Sequence, residues 1–243
     1  MTGQRVVISQ SMYFPWVGML EQIRLADTLI HYDDVQFSKG SFSNRVQVKL
    51  PNGPSWMTVP LHDHHMGQTI EEVQLQPTVP WRARHLAMLE QSFAGAPHAA
   101  DALELASRVI DGNHATLADL ARDSMLSLCS YFDLDKTTRF ADAGDFGIGG
   151  SGSVRVLELV KAVGGTDYIT GHGAKNYLDH RMFEAEGISV SYMDYQCTPY
   201  PQSHGAFTPF VSALDLVAHC GRGGLTKIAS QTRDWKEFVN EPQ

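Results

Sequence analysis

The spacing of apolar residues divides the N-terminal part of the chain into two short strands and a helix. Arg5 to Ser9 is a short β-branched run, and Gly18 to Asp27 repeats apolar residues near helical spacing. Thr28 to Phe37 then has the pattern of a second strand. A strand, a helix and a strand in this order predict a β-α-β unit. Its two strands are expected to be parallel, because the helix carries the chain back to the end of the sheet where the first strand began.

The middle of the chain changes from strand patterns to helix patterns near residue 80. Strand-like segments come first, at Val46 to Lys49, Trp56 to Leu61 and Thr69 to Gln76. Helix-like segments follow, from Trp81 to about Phe93, from Ala99 to Ile110 and from Thr116 to Phe132. The pattern therefore predicts a helical subdomain at about residues 80–135.

The C-terminal part again alternates between helices and strands. The polar, glycine-rich stretch DAGDFGIGGSGS predicts a flexible or ligand-facing loop, followed by a helix from Val154 to Val163 with Ser153 as its N-cap. The segments that follow are a strand at Asp167 to Thr170, a helix at Ala174 to Glu186, a strand at Ile188 to Tyr195 and a helix at Phe210 to Cys220. The tail after Gly224 is polar and is expected to be loose. We predict one α/β domain over residues 1–243 with a helical insertion.

Composition restricts the class of protein. The 243 residues are 43% hydrophobic and 19% charged, and no apolar run approaches the roughly 20 residues of a membrane span. The three cysteines are odd in number and far apart, and the N-terminus has no signal pattern, so we expect a cytoplasmic protein without disulfides or membrane contact. The net charge of -8 argues against a large surface for nucleic acid. It leaves room for a local basic pocket that binds one small anion.

The first candidate cluster follows the first predicted strand. Ligands of open parallel sheets bind beyond the carboxyl ends of the strands, where Gln10, Tyr13 and Trp16 are expected. They offer an amide, a hydroxyl and a flat aromatic face to a small molecule. Pro15 suits the first position of a helix whose free amides would bind phosphate. The alternative is that Tyr13 and Trp16 are core aromatics that close the loop.

The second candidate cluster follows the second predicted strand. Asp33 and Asp34 are adjacent, so only one can point into a shared site, as a base, a magnesium ligand or a hydroxyl acceptor. Arg45 suits a bidentate contact with carboxylate or phosphate. The cluster also contains Gln36, Asn44 and Lys49. The alternative is a solvated group of ion pairs.

The third candidate cluster lies at the junction between a later strand and its helix. Thr170 and Gly171 allow close approach of a ligand to the backbone, His172 is a candidate acid or base, and Tyr177 adds a hydroxyl. Gln202, in the loop YPQSHGAF, adds another amide. No GxSxG, Walker loop, HExxH or GxGxxG motif occurs in the sequence, so hydrolase, kinase and dehydrogenase functions have little support.

Two parts of the sequence contain histidines that are candidate metal ligands. Four consecutive polar residues, His62 to His65, are more typical of a solvated loop than of a metal site, so we predict no metal there. His85 is on the apolar face of its helix and is interpreted as a core histidine with satisfied hydrogen bonds.

Several blocks of the sequence resemble the WbqC-like protein family over nearly the whole chain. They are SQSMYFPWVG, YDDVQFSKGSFSNR, WMTVPL, WRARH, GGTDYITGHGAKNYLD and YPQSHGAFTPFVSALDLVAHCG. The resemblance implies biosynthesis of surface polysaccharides that carry acylated amino sugars, or of natural products. The implied activity is amide formation between an amino acid and an amine.

The opening segment is also distantly similar to nucleotidyltransferase-type enzymes such as pantothenate synthetase. That likeness implies a Rossmann-like sheet, and for an amide-forming ligase it implies ATP with magnesium. The segment Trp16 to Met19 occupies the position of the His-x-Gly-His turn in those enzymes and contains neither histidine. The substitution favours a donor that is already activated, such as an aminoacyl-tRNA, a carrier-protein thioester or an acyl phosphate. The negative net charge makes tRNA the least suitable of these.

The leading hypothesis is an acyl or aminoacyl transferase, or an amide-forming ligase, that acts on a small amine. In this hypothesis Asp33 or Asp34 orients or deprotonates the amine, and His172 is the acid or base. The alternatives are a non-catalytic protein that binds a nucleotide sugar or a phosphometabolite, and a metal-dependent enzyme. The proposed substrate-binding residues are Gln10, Tyr13, Trp16, Gln36, Asn44, Arg45, Lys49, Thr170, Gly171, Tyr177 and Gln202.

Overall fold

The helices and strands of the computed structural model, which describes residues 3–240, alternate along most of the chain. The strands are β1 (Arg5–Ser9), β2 (Thr28–His31), β3 (Arg45–Leu50), β4 (Gly53–Thr58), β5 (Leu61–His62), β6 (Gln74–Leu75), β7 (Arg139–Asp142), β8 (Asp167–Thr170), β9 (Ser189–Met193) and β10 (Thr232–Asp234). The α-helices are α1 (Val17–Leu25), α2 (Trp81–Ser92), α3 (Ala99–Ile110), α4 (Leu117–Tyr131), α5 (Gly152–Ala162), α6 (His180–Ala185), α7 (Ala213–Cys220), α8 (Leu225–Ile228) and α9 (Trp235–Asn240).

The main sheet has six strands in the order β10-β9-β8-β1-β2-β7. The five strands from β9 to β7 pair in parallel, and β10 pairs antiparallel with β9. The chain passes outward from β1 through β2 to β7, and then returns to the other side of β1 to form β8 and β9. The strand order therefore reverses between β1 and β8, which is the position where Rossmann-like sheets bind ligands. The predicted Rossmann-like α/β fold is confirmed.

Alternate residues of the central strands belong to different hydrophobic cores. Val7 and Leu29, which are register partners, pack into the larger core with α1 and α7. Val6 and Ile30 pack into the smaller core with α5 and α6. Successive side chains of a strand point to opposite faces, so strands β1 and β2 are buried on both faces and read as continuous apolar runs.

The segment between β2 and β7 packs over the loop that follows β1. It contains the hairpin β3-β4, the short strands β5 and β6, and helices α2 to α4. The Tyr13 hydroxyl lies 3.0 Å from His85 Nδ1, and the Phe14 N–H donates to Ser124 Oγ at 2.9 Å. The Tyr13 N–H also donates to the Phe42 carbonyl at 3.0 Å. These contacts bury the centre of the loop.

Strand β7 was not predicted, because its two central residues are apolar but it has polar residues at both ends. Three local predictions need correction. The predicted helix over Ala174 to Glu186 is a 3₁₀ turn at His172–Asn176 followed by α6. Helix α5 begins at Gly152, and Ser153 Oγ accepts a hydrogen bond from the Asp179 N–H instead of capping that helix. The tail is ordered through β10 and α9.

No helix within residues 3–240 is both long and apolar enough to cross a membrane.

Candidate functional site

A cleft of about 560 Å³ lies at the point where the strand order reverses. The carboxyl ends of β1 and β8 form its floor, and the start of α5 and the 3₁₀ turn after β8 form two of its sides. Its lining residues are Ile8, Ser9, Gln10, Met12, Gln22, Tyr32, Gly152, Val156, Tyr168, Thr170, Gly171, Gly173, Ala174 and Tyr177. All of them are uncharged, so the cleft offers hydroxyl groups, amides and aromatic surface to a ligand.

Three tyrosines line this switch-point cleft. Burial raises the pKa of the Tyr32, Tyr168 and Tyr177 phenols, so each hydroxyl keeps its proton near neutral pH and can both donate and accept a hydrogen bond. Tyr177 is 65% exposed and forms part of the rim. Phenol rings pack against sugar or aromatic rings while their hydroxyls bind polar groups, so the cleft suits a ring-containing polar molecule.

Gly171 brings the backbone of the loop after β8 close to α1. A Cβ atom at this position would lie 2.7 Å from Gln22 Nε2, which is closer than ordinary packing allows. The glycine therefore lets the Gln22 amide reach the cleft alongside Gln10. Together these amides give the cleft donors and acceptors on the side opposite the tyrosines.

The start of α5 forms one edge of the cleft. Gly152 and Val156 line it, and the N-cap residue Ser151 makes no side-chain hydrogen bond to the helix within the described residues. The glycine-rich approach uses left-handed conformations, with φ of 93° at Gly150 and 62° at Gly152. The first turn of a helix has N–H groups without helical partners, so this edge can donate hydrogen bonds to a bound molecule.

A carboxylate lies behind Tyr32. Arg155 forms an ion pair with Asp34 Oδ2, donates from Nε to the Ile148 carbonyl at 2.8 Å, and lies 4.9 Å above the Tyr32 ring. Asp34 Oδ1 is buried, and in the part of the chain that the structure describes it has no hydrogen-bond partner. A buried carboxylate oxygen without a donor is uncommon, because its desolvation is then uncompensated. Asp34 therefore has an unused acceptor next to a residue of the cleft wall.

Asp33 has a different environment from its neighbour. It is fully buried and accepts hydrogen bonds from the Ser11 N–H at 2.7 Å, from Ser11 Oγ at 2.6 Å and from Arg122 Nε at 2.7 Å. His31 Nδ1 lies 2.8 Å from the same Ser11 hydroxyl, and burial lowers the pKa of His31 to about 4. The network ties the loop after β1 to β2 and to α4. Asp33 was predicted to act on a substrate, but in this structure its oxygens are occupied and enclosed.

The sequence profile of the WbqC-like protein family matches residues 10–226. The chain belongs to this family. The WbqC-like chain is also 33% identical to the "Uncharacterized protein Rv1507c" of Mycobacterium tuberculosis (strain ATCC 25618 / H37Rv) over 221 residues, which cover 90% of this chain and 94% of that one. No solved structure matches the chain at a significant level.

Four of the predicted residues of this WbqC-like protein meet in the cleft, namely Gln10, Thr170, Gly171 and Tyr177. The prediction missed Gln22, Tyr32 and Tyr168. Tyr168 and Thr170 are two positions apart on β8, so they lie on one face of the strand, and this alternation could have identified Tyr168 from the sequence. Gln22 lies on α1 and had no comparable signal.

The aromatic residues after β1 are structural. Tyr13 was predicted to contact a substrate, but it is fully buried and does not line the cleft. Trp16 lies outside the cleft lining and packs near Tyr195 and Phe210, with ring centroids 5.9 and 5.4 Å away. Its ring covers the start of α1, where a Cβ atom added to Gly18 would overlap the indole. The indole therefore covers the helix start where a phosphate site was predicted.

The predicted residues of the β3 region do not reach the cleft. Asn44 is buried, and its amide donates to the Val59 carbonyl at 3.1 Å. The Arg45 guanidinium lies 4.1 Å from the Trp56 ring. Gln36 is exposed and forms an isolated β-bridge with Thr69. Strand β3 packs against α2, and none of these three side chains lines the cleft.

Lys49 and Gln202 contact each other instead of a substrate. The Lys49 ammonium is buried and donates to Gln202 Oε1 at 3.2 Å and to the carbonyls of Gly205 and Ala206 at 3.1 and 2.5 Å. Gln202 Oε1 also accepts from the Thr208 N–H at 2.8 Å. Neither residue lines the cleft, and both side chains hold the loop around residue 204 in place.

The histidines divide into core and surface groups. His85 is buried between Tyr13 and the Thr58 carbonyl, which confirms the prediction of a core histidine. His172 Nε2 donates to the Met193 carbonyl at 2.9 Å, and its ring packs against Phe238, so this side chain does not line the cleft. Among residues 3–240, no group of three or more His, Cys, Asp and Glu side chains is close enough to hold a metal ion.

Proposed function

We propose that this WbqC-like protein is a biosynthetic transferase that binds a small polar amine in the switch-point cleft and forms an amide on it. The substrate class is an amine with several hydroxyl groups, such as an amino sugar or a natural-product intermediate. The hydroxyls and amides of Gln10, Gln22 and Thr170 suit its polar groups, and the tyrosines suit its ring.

The observation that carries this proposal is the unpaired Oδ1 of Asp34 behind Tyr32. Arg155 holds the other oxygen of the carboxylate, so Oδ1 has a fixed direction. An amine nitrogen that displaced the Tyr32 ring would supply the donor that this oxygen lacks, and the carboxylate would orient the amine or accept its proton. A hydroxyl group in the same place forms a weaker hydrogen bond than a charged ammonium does.

The residues of the cleft fit ATP poorly. None of the lining residues is Lys or Arg, and the start of α1, which resembles the phosphate-binding turn of pantothenate synthetase, is covered by Trp16. We therefore propose that the acyl donor is already activated, as a thioester, an acyl phosphate or an aminoacyl ester. The protein then has only to position the amine and the acyl carbon, which can lower a barrier substantially without further chemistry.

A second candidate is a non-catalytic protein that binds a nucleotide sugar or a phosphometabolite. Two observations favour it. The fourteen residues that line the cleft include no Asp, Glu, His, Lys or Arg, and the uncapped start of α5 at Gly152 offers N–H groups to a phosphate. This candidate predicts tight binding and no product.

The test compares matched ligands by isothermal titration calorimetry. We expect an amino sugar to bind at least tenfold more tightly than the same sugar with a hydroxyl in place of the amine. Asp34→Asn, which keeps the shape of the side chain, should abolish this preference. Tyr177→Phe is the matched control, because it changes the rim of the cleft and leaves Asp34 unaltered; it should keep the preference.

Incubation of each ligand that binds with acyl thioesters and aminoacyl esters, followed by mass spectrometry, then separates the two candidates. An amide product supports the transferase, and binding without any product supports the second candidate. Equal affinity of the wild-type protein for the amine and the hydroxyl ligand would overturn the role of Asp34.

A further inference from the structure

A serine, a histidine and an aspartate lie together outside the lining of the switch-point cleft. Ser203 Oγ is 3.0 Å from His219 Nε2, and His219 Nδ1 is 3.5 Å from Asp215 Oδ1. Asp215 and His219 are one turn apart on α7, and both side chains are buried, whereas Ser203 is half-buried in the loop before that helix. A nucleophile next to a base that a third group orients is the arrangement of serine acyl-transfer enzymes.

The hydrogen bonds of His219 determine which ring nitrogen carries the proton. Nδ1 lies 2.8 Å from the Asp215 carbonyl, which can only accept, so Nδ1 carries the hydrogen. The Ser203 backbone N–H, which can only donate, points to Nε2 at 2.8 Å. Nε2 is therefore the acceptor of the neutral ring. It accepts from the Ser203 N–H and lies 3.0 Å from the Ser203 hydroxyl, so it takes the hydroxyl proton only when that N–H moves aside. This is the tautomer that a general base for Ser203 needs.

The Asp215 carboxylate strengthens this base. Burial of the ring lowers the pKa of His219, but hydrogen bonding and charge from Asp215 outweigh burial and raise the pKa above its ordinary value. A carboxylate beside Nδ1 also stabilises the imidazolium that forms when Nε2 takes a proton.

The loop that carries Ser203 is fixed by two sets of hydrogen bonds. The buried Lys49 ammonium binds the Gly205 and Ala206 carbonyls, and His204 Nε2 donates to the Gln91 and Ser92 carbonyls, each at 3.1 Å. His204 and Gly205 have φ values of 63° and 93°, so the chain turns sharply directly after the serine. A strained turn held by a buried charge positions a side chain within narrow limits, as a reacting group requires.

We propose that Ser203 is a nucleophile that accepts an acyl group from a thioester or an activated ester. Ser203 Oγ attacks the acyl carbonyl carbon while His219 Nε2 takes the hydroxyl proton. The bond from carbon to the leaving sulfur or oxygen then breaks, and His219 returns the proton to the leaving group. The products are an acyl-serine and a thiol or an alcohol. This proposal does not rest on amine binding in the switch-point cleft, which uses other residues.

A fluorophosphonate probe tests the nucleophile directly, because it forms a bond to a serine that a neighbouring base activates. We expect one probe per folded chain, located by peptide mass spectrometry on Ser203, and no such labelling of the chain unfolded in urea. Ser203→Ala should abolish the label. His219→Gln should slow labelling at least about 100-fold, as is typical for loss of a general base.

The matched control is Ser107→Ala. Ser107 is also half-buried, but its hydroxyl donates to the Glu104 carbonyl of the same helix, so labelling should not change. The comparison of folded with unfolded wild-type protein does not depend on the stability of any variant. No label on the folded wild-type protein, or a label that persists in Ser203→Ala, would overturn the proposal. In that case His219 serves to hold the Ser203 N–H and the loop. Neither labelling result depends on whether an amine binds at Asp34. The experiment can therefore contradict the role of Ser203 without contradicting the proposed function, and the reverse also holds.

Discussion

The loop after β1 and the loop after β8 leave the sheet at the same edge, and both combine aromatic with polar residues. The first loop is closed beyond Gln10 and Met12, which line the cleft, whereas the second is open. Tyr13 in the first loop is fully buried, whereas Tyr177 in the second is 65% exposed. The difference comes from the segment between β2 and β7, which contacts the first loop through His85 and Ser124. A loop at the ligand-binding end of a parallel sheet forms a binding surface only where no insertion covers it.

Replacement of the two tyrosines should give the largest difference between the loops. Tyr13→Ala removes a fully buried ring and should lower the free energy of unfolding by about 3–5 kcal/mol, because a cavity forms in the larger core. Tyr177→Ala removes a mostly exposed ring and should change it by less than about 0.5 kcal/mol. Urea denaturation followed by circular dichroism measures both values. Equal losses of stability in the two variants would contradict the distinction between the loops.

The sequence was informative about the loops' place in the sheet but not about what covers them. Strand and helix periodicity placed Gln10 and Thr170 at the ends of parallel strands, and both lie in the cleft. Periodicity within one element carries no information about contacts with distant residues, such as the contact of Tyr13 with His85, 72 positions away. For the same reason Lys49 was interpreted as an anion-binding residue, although its partners lie more than 150 positions later.

The two adjacent aspartates also show that the sequence pattern does not reveal contacts with distant residues. Alternation along a strand predicts that only one of them points into a shared site, but it does not indicate which one. Asp33 is occupied by Ser11 and Arg122, and Asp34 keeps an oxygen without a partner among the residues that the structure describes. Which aspartate keeps such an oxygen depends on Arg122 of α4 and Arg155 of α5, which are far from the aspartates in sequence.

Acidification should lower the free energy of unfolding through His85, which contacts Tyr13 of the closed loop. Burial lowers the pKa of His85 to about 4, compared with about 6.5 in an unfolded chain. The unfolded state therefore binds a proton between these values and the folded state does not. The contribution of His85 is fully present above about pH 6.5 and is lost as the pH falls towards 4, by about 3 kcal/mol.

His85→Gln is the variant that isolates this effect, because a glutamine side chain does not titrate. We expect the fall in unfolding free energy between about pH 7 and pH 4, measured by urea denaturation, to be about 3 kcal/mol smaller in the variant than in the wild-type protein. His31, whose pKa is also lowered to about 4, contributes to both proteins and cancels in the difference. Parallel pH profiles of the two proteins would show that His85 is not buried as a neutral ring.

The smallest expected effect concerns two glycines of the open loop. Gly171 and Gly173 both line the cleft, but a Cβ atom at Gly171 would lie 2.7 Å from Gln22 Nε2, whereas one at Gly173 would meet no atom within 4 Å in the described part of the chain. Because the far end of the Gln22 side chain can move, Gly171→Ala should displace that amide with little loss of stability. It should weaken binding of a cleft ligand up to about tenfold, which corresponds to about one hydrogen bond. Gly173→Ala should leave the affinity unchanged. If calorimetry gives the two variants the same affinity, Gln22 does not contact the ligand, and the binding surface is confined to the tyrosine side of the cleft.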